Sequence, residues 1–183
     1  MKNYKSPLTT LDLLKICQRH PNLKHVNCGV YARDEIIHFE PPFRPCHIII
    51  NLSSSSEAGS HWISVFLNRD FSGELVDSLA LAPHPDVLYF LKRHCTTCVT
   101  NAFRLQSLLS ATCGIYCLWH GSARGGGETF RHWLDSFSRS PMRNDARAKC
   151  HFVNHLARLT DFRPLPTPDS WRRQRREACG SLA

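Results

Sequence analysis

No apolar run in the 183-residue chain approaches the roughly 20 residues that cross a bilayer. The first twenty residues, MKNYKSPLTTLDLLKICQRH, hold no apolar segment of signal-peptide length. There are no internal repeats, which sets aside solenoids and propellers. Acidic residues are scarce in the second half. Residues 91–183 carry 6 Asp and Glu against 15 Lys and Arg, whereas residues 1–90 carry 9 against 8. These absences lead us to expect a soluble, intracellular, monomeric chain without a membrane partner. The formal charge of +8 is therefore regional, and a polyanion would meet the second half first.

Cysteine, by contrast, is plentiful at nine residues, an odd number. Without a secretory leader, these thiols are expected to be reduced, and buried, catalytic or metal-bound. A hydrophobic content of 42% with 4 Trp, 4 Tyr and 10 Phe is enough for one core without staples. We read residues 1–160 as a single domain. Residues 161–183 form a Pro- and Arg-rich tail, expected to be mobile.

The periodicity predicts a helix over 8–20 with a threonine cap, and an irregular stretch over 21–45. Cys46–Asn51 is a β-branched apolar run typical of a buried strand. Residues 53–60 are a polar loop. Residues 61–68 and 74–79 read as strands joined by a hairpin turn at 69–73. Helices follow over 86–94, from Cys113 onward, over 128–137 and over 144–159, with a short strand over 97–101. This mixture predicts an α+β domain: a mostly antiparallel central sheet with helices packed around it.

One constellation carries chemistry. His61-Trp62 heads a strand, Asp77-Ser78 ends the next, and Gln106 precedes Cys113-Gly114 by seven residues at a predicted helix N-terminus. A cysteine nucleophile needs its thiolate, which a helix N-terminus and an imidazolium both stabilise. The imidazole needs a carboxylate to fix its orientation. The oxyanion of an acyl intermediate needs donors, and the Gln106 amide with the Cys113 N–H supplies them. If 61–68 and 74–79 pair through their turn, His61 falls beside Asp77. Alternation puts Glu74, the other nearby acid, on the opposite face.

This set resembles the adenovirus-type cysteine endopeptidases (adenain-like) and, more distantly, the ubiquitin-like-protein proteases. Asn51 stands ten residues before His61, at the spacing of a substrate-binding Asn in adenain. Asn27-Cys28-Gly29, Pro42-Phe43 and Cys113-Gly114-Ile115-Tyr116-Cys117 also resemble that family. The similarity covers residues 25–120 well and 121–160 loosely. Where adenain carries Glu, this chain has Asp77 followed by Ser78, as the ubiquitin-like-protein proteases do. The resemblance implies a viral-type endopeptidase that cuts structural precursor proteins at Gly-containing sites, with Asn51 and Trp62 against the substrate. It implies activation by a short basic peptide, tethered by a disulfide to Cys95 (Cys98 being an equal candidate), and by DNA. It implies action in the host nucleus and virion.

Alternatives stay open. The activity could instead be deconjugation of a ubiquitin-like modifier, or the chain could be a non-enzymatic, basic nucleic-acid-binding protein. Cys95-x2-Cys98 with Cys113-x3-Cys117 has a zinc-ribbon-like spacing, although the resemblance calls for no metal. Cys17, Cys46, Cys117 and Cys150 read as small buried apolar residues. In the tail, Trp171 with Arg172, Arg173, Arg175 and Arg176 suits a nucleic-acid contact or an import signal, set against an ordinary solvated end.

Overall fold

The computed structural model describes residues 7–157. The tail and its four arginines lie outside the described residues. Helix α1 (Thr10–Arg19) opens on the expected cap: the Thr9 hydroxyl accepts from the Asp12 N–H, and the Asp12 carboxylate accepts from the Thr9 N–H at 3.0 Å. Its stripe of Leu13, Ile16 and Cys17 is buried.

A five-stranded sheet forms the frame, with strands in sequence order: β1 (Asn27–Ala32), β2 (Cys46–Asn51), β3 (Trp62–Leu67), β4 (Ser72–Val76) and β5 (Thr97–Thr100). Strands β2, β3 and β4 are antiparallel, while β1 joins β2 and β5 joins β4 in parallel. The expected α+β class is present. Its antiparallel character is confined to the centre, so the sheet is mixed. The β3–β4 hairpin closes with the Asn68 N–H donating to the Ser72 carbonyl at 2.9 Å, and Phe71 takes a left-handed φ of 63° in the turn.

Both faces of the sheet are covered, which is why β2 and β3 are largely apolar and buried along their whole length. Cys46, Ile48, Ile50, Ile63, Val65, Leu67 and Leu75 pack with Val87, Phe90 and Leu91 of helix α3 (Pro85–His94). On the other face, Ile49, Trp62 and Val76 join the core of α1 and helix α4 (Cys113–Gly125). Helix α4 is buried on every side from Cys113 to Ala123. Gly121 permits this close packing, since a Cβ there would sit 2.5 Å from the His47 ring.

Three differences from expectation are physical. The stretch 21–45 is not wholly irregular: it holds β1 and a single helical turn, α2 (Arg33–Ile36). The β1 pattern is blurred by a register shift between Asn27 and Gly29, by Gly29 at φ 135°, and by partial burial throughout. The helix expected over 128–137 is shorter, Phe130–Asp135 (α5). The helix expected over 144–159 starts earlier, at Pro141, where proline suits a first turn. This helix, α6 (Pro141–His151), runs on into a π-helical turn, Phe152–Ala157.

Candidate active site

The hairpin brings its two ends together. His61, just before β3, donates from Nε2 to Asp77 Oδ1, just after β4, at 2.7 Å. Asp77 is itself held. Its Oδ1 accepts from the Leu79 N–H at 2.8 Å and its Oδ2 from the Leu81 N–H at 3.2 Å. The Asn101 side chain brackets its backbone, accepting from the Asp77 N–H at 3.0 Å and donating to the Asp77 carbonyl at 2.7 Å.

Cys113 opens α4, directly after the N-cap Thr112. Cys113 and His61 line the same cleft and interact, while Asp77 occupies the Nε2 side of the ring. Burial disfavours the charged imidazole. The hydrogen bond to Asp77 and then the interaction with Cys113 outweigh burial, and the His61 pKa is raised to about 9. The ring is thus a cation at neutral pH, set between a carboxylate and a thiol.

Gln106 lies under the same cleft and is fixed on several sides. Its Oε1 accepts from the Ser78 hydroxyl at 2.7 Å, its Nε2 donates to the Ser110 carbonyl at 2.6 Å, and its N–H donates to the Ser78 carbonyl at 2.8 Å. Because Ser78 follows Asp77, one dipeptide positions both the imidazole and the amide. The Ser110 carbonyl, which can only accept, settles which end of the Gln106 amide is the donor.

A cleft of about 580 Å³ runs over these groups, lined by His61, Gln106 and Cys113 together with Asn51, Trp62 and Leu108. Asn51 pins the polar 53–60 loop, its Oδ1 accepting from the Ser53 and Ser60 N–H groups at 2.9 and 3.2 Å. Trp62 donates from Nε1 to the Leu8 carbonyl at 3.0 Å. That bond anchors residues 7–10 as a wall of the cleft, a part that sequence reasoning missed. No local motif marks it, nor Asn101, because both act through long-range contacts.

The remaining cysteines among the described residues sit apart from the cleft. Cys95 is half-buried on the α3 face, its sulfur 2.5 Å from where a Cβ on Gly73 would stand, and Cys98 is exposed on β5. The zinc-ribbon reading fails on geometry, since Cys113 and Cys117 belong to the other face of the sheet. Among the described residues no group of three or more His, Cys, Asp or Glu side chains converges to hold a metal. Burial pushes the Cys17 thiol up to about 12 and Cys117 well above its usual value, as suits inert core thiols. Cys150, expected inside, is exposed; its place on the outer side of α6 corrects that reading.

A second constellation was not foreseen. Ser64 Oγ lies 2.8 Å from His47 Nε2 and 2.8 Å from His120 Nδ1, and His120 Nε2 lies 3.1 Å from Glu74 Oε2. Arg124 closes the chain on Glu74 at 2.9 Å. Serine, histidine and carboxylate are all present, yet Ser64, His47 and His120 are each 0% exposed, and none lines the cleft.

No protein-family model matches this sequence, and no curated protein matches it. Solved structures do. The ASFV pS273R protease is similar with a TM-score of 0.63 at 18% identity, the match covering 84% of this chain and 68% of that one. ChlaDub1 from Chlamydia trachomatis is similar with a TM-score of 0.58 at 10% identity, covering 90% of this chain and 98% of that one. The central domain of the uncharacterized Lpg1148 protein from Legionella pneumophila gives 0.51 at 16% identity, covering 86% and 100%. At these identities the likeness establishes a shared fold. Among the described residues no helix is long and apolar enough to cross a membrane.

Proposed function

We propose that the protein is a cysteine endopeptidase, a hydrolase in which Cys113, His61, Asp77 and Gln106 carry the reaction. The observation that carries this reading is the His61 ring, bonded to Asp77 at 2.7 Å and set with Cys113 and Gln106 in one open cleft. The fold shared with a protein named as a protease supports it.

The Cys113 thiolate attacks the peptide carbonyl carbon, and the carbonyl electron pair moves onto oxygen. The Cys113 N–H and the Gln106 amide stabilise that oxyanion. His61 gives its proton to the leaving amine as the C–N bond breaks, leaving a thioester on Cys113. His61 then takes a proton from water, which attacks the thioester and releases the acid and the thiolate. Asp77 holds the ring and favours its cationic form throughout.

For substrate, we favour structural precursor proteins cut at Gly-containing sites, with Asn51, Trp62 and the 53–60 loop along the bound segment. The second reading, deconjugation of a ubiquitin-like modifier, is favoured by the Asp77-Ser78 pair. Purified protein is offered a Gly-containing peptide and, separately, a ubiquitin-like fusion. Turnover of the peptide at a rate equal to or above that of the fusion supports the first reading; turnover of the fusion alone supports the second. Hydrolysis of neither, or hydrolysis undiminished in Cys113→Ala, contradicts the enzyme. The same reading takes duplex DNA and a peptide tethered at Cys95 or Cys98 as activators, so rates unchanged by both remove them.

A further inference from the structure

Gln106 begins a seven-residue connection with little regular structure, 106–112, and Cys113 directly follows it. Leu108 and Leu109 at its tip are 71% and 101% exposed, so the tip does not hold it in place. Its ends converge instead on a carboxylate in α6. Asp145 Oδ2 accepts from the Ser107 N–H at 3.0 Å, beside Gln106. Asp145 Oδ1 accepts from the Thr112 hydroxyl at 2.8 Å, beside Cys113, and from the Tyr116 hydroxyl at 3.1 Å, one turn into α4. Asp145 is 5% exposed and among the described residues forms no ion pair; these three donors satisfy it. Its neighbour Asn144 donates to the Leu105 carbonyl at 3.2 Å, on the chain entering Gln106.

An ion buried without a cation is retained only where its hydrogen bonds are complete. Here each carboxylate oxygen takes a different end of one connection. An oxyanion hole requires its two donors to converge on a single point, within a few tenths of an ångström, before the substrate arrives. We propose that Asp145 is a positioning residue of the oxyanion hole: with Ser78 holding the Gln106 amide itself, the Asp145 carboxylate ties together the residues next to Gln106 and Cys113 and so sets the separation of the Gln106 amide from the Cys113 N–H. This role rests on the peptidase reading given above. His61 and Asp77 are fixed by the hairpin and by Asn101, and Cys113 is held by the buried start of α4, so the change at Asp145 falls mainly on the Gln106 side of the oxyanion hole.

The test is a double-mutant cycle of Asp145→Asn with Gln106→Ala, read with hydrogen exchange over 106–112 and with the alkylation rate of Cys113 by iodoacetamide. The amide of Asp145→Asn keeps one acceptor and turns a donor toward one of the former partners. Expected results are a kcat about 10–100-fold lower with KM changed less than about threefold, and alkylation within about twofold of the parent. In the Gln106→Ala background the same change should cost less than about threefold, because the donor it positions is already gone. The Ser107 N–H should exchange faster. Equal losses in both backgrounds, or unaltered kcat and exchange, overturn the proposal. Should Asp145→Asn not fold, Thr112→Val removes a single donor and enters the same cycle with the same expectations. A parent that hydrolyses nothing refutes the peptidase reading instead. In that case exchange at Ser107 still decides whether Asp145 ties the connection.

Discussion

Two histidines in this molecule bond carboxylates on or just after β4, His61 from the other end of the hairpin and His120 from α4, and their surroundings make them opposites. His61 meets Asp77 at the mouth of the hairpin, beside a cleft and a thiol, and its pKa is raised to about 9. His120 meets Glu74 on the face beneath α4, with Ser64 on its other nitrogen, and burial lowers its pKa despite the carboxylate. His47, on the far side of Ser64, is lowered well below its usual value by burial and by His120. The residue types are nearly the same in both places. Access and charge differ: one ring is cationic and reachable, while the other two are neutral and sealed. A list of triad-forming residue types therefore cannot identify a catalytic site until solvent access is known.

The comparison is broken most severely at the two nucleophile positions. Cys113→Ala should reduce peptide hydrolysis by about 10⁴-fold or more, whereas Ser64→Ala should leave kcat/KM within about twofold. Steady-state kinetics on both variants checks this, and a large loss in Ser64→Ala would reverse the assignment. Next comes Asp77, the proposed orienting acid. Asp77→Asn should lower kcat by about 10³–10⁴-fold, since the amide neither favours the imidazolium nor fixes its orientation. It should also draw the alkaline limb of the residual pH–rate profile from about 9 toward the ordinary 6.5. A limb that stays near 9 would remove Asp77 as the cause.

The sealed network should respond through stability. Gly121→Ala drives a methyl group against the His47 ring, which has no room to retreat, and should cost about 1–3 kcal/mol in denaturant melts. Activity per folded molecule should be retained. The two regions should also respond oppositely to pH. His61 binds its proton more tightly in the folded state, so its contribution is complete below about 6.5 and fades as pH rises through about 9. His47 and His120 bind theirs less tightly when folded. The unfolded chain therefore takes up more protons below 6.5, and stability falls as pH drops through that value. Melts from pH 5 to 10 should show a dome, and Asp77→Asn should flatten its alkaline side.

Most of the site was legible because its parts are close in sequence or lie at fixed spacing. The hairpin turn ties His61 to Asp77, alternation sends Glu74 away, and Thr112-Cys113-Gly114 marks a helix start. The class of the fold was legible from the apolar runs of β2 and β3. What was illegible depends on distant partners. Strand β1 pairs in parallel with β2 and has a bulge in place of a clean period. The mixed sheet follows from β1 and β5, whose parallel pairing leaves no local signature. Leu8 becomes a wall of the cleft through a bond to Trp62, and Asp145 reaches the 106–112 connection from a helix some thirty residues later. The sealed network combines residues of β2, β3, β4 and α4, none of which suggests the others by spacing.

The claim on which all of this depends is that one thiol of the nine is activated by His61. Incubation with a thiol-reactive peptide electrophile at neutral pH, followed by mass-spectrometric mapping, measures it directly. The account predicts labelling concentrated on Cys113 and abolished in His61→Ala, while the exposed Cys98 and Cys150 react slowly and equally in both. Labelling of Cys98 or Cys150 at the rate of Cys113, or Cys113 labelling undiminished without the imidazole, would contradict it.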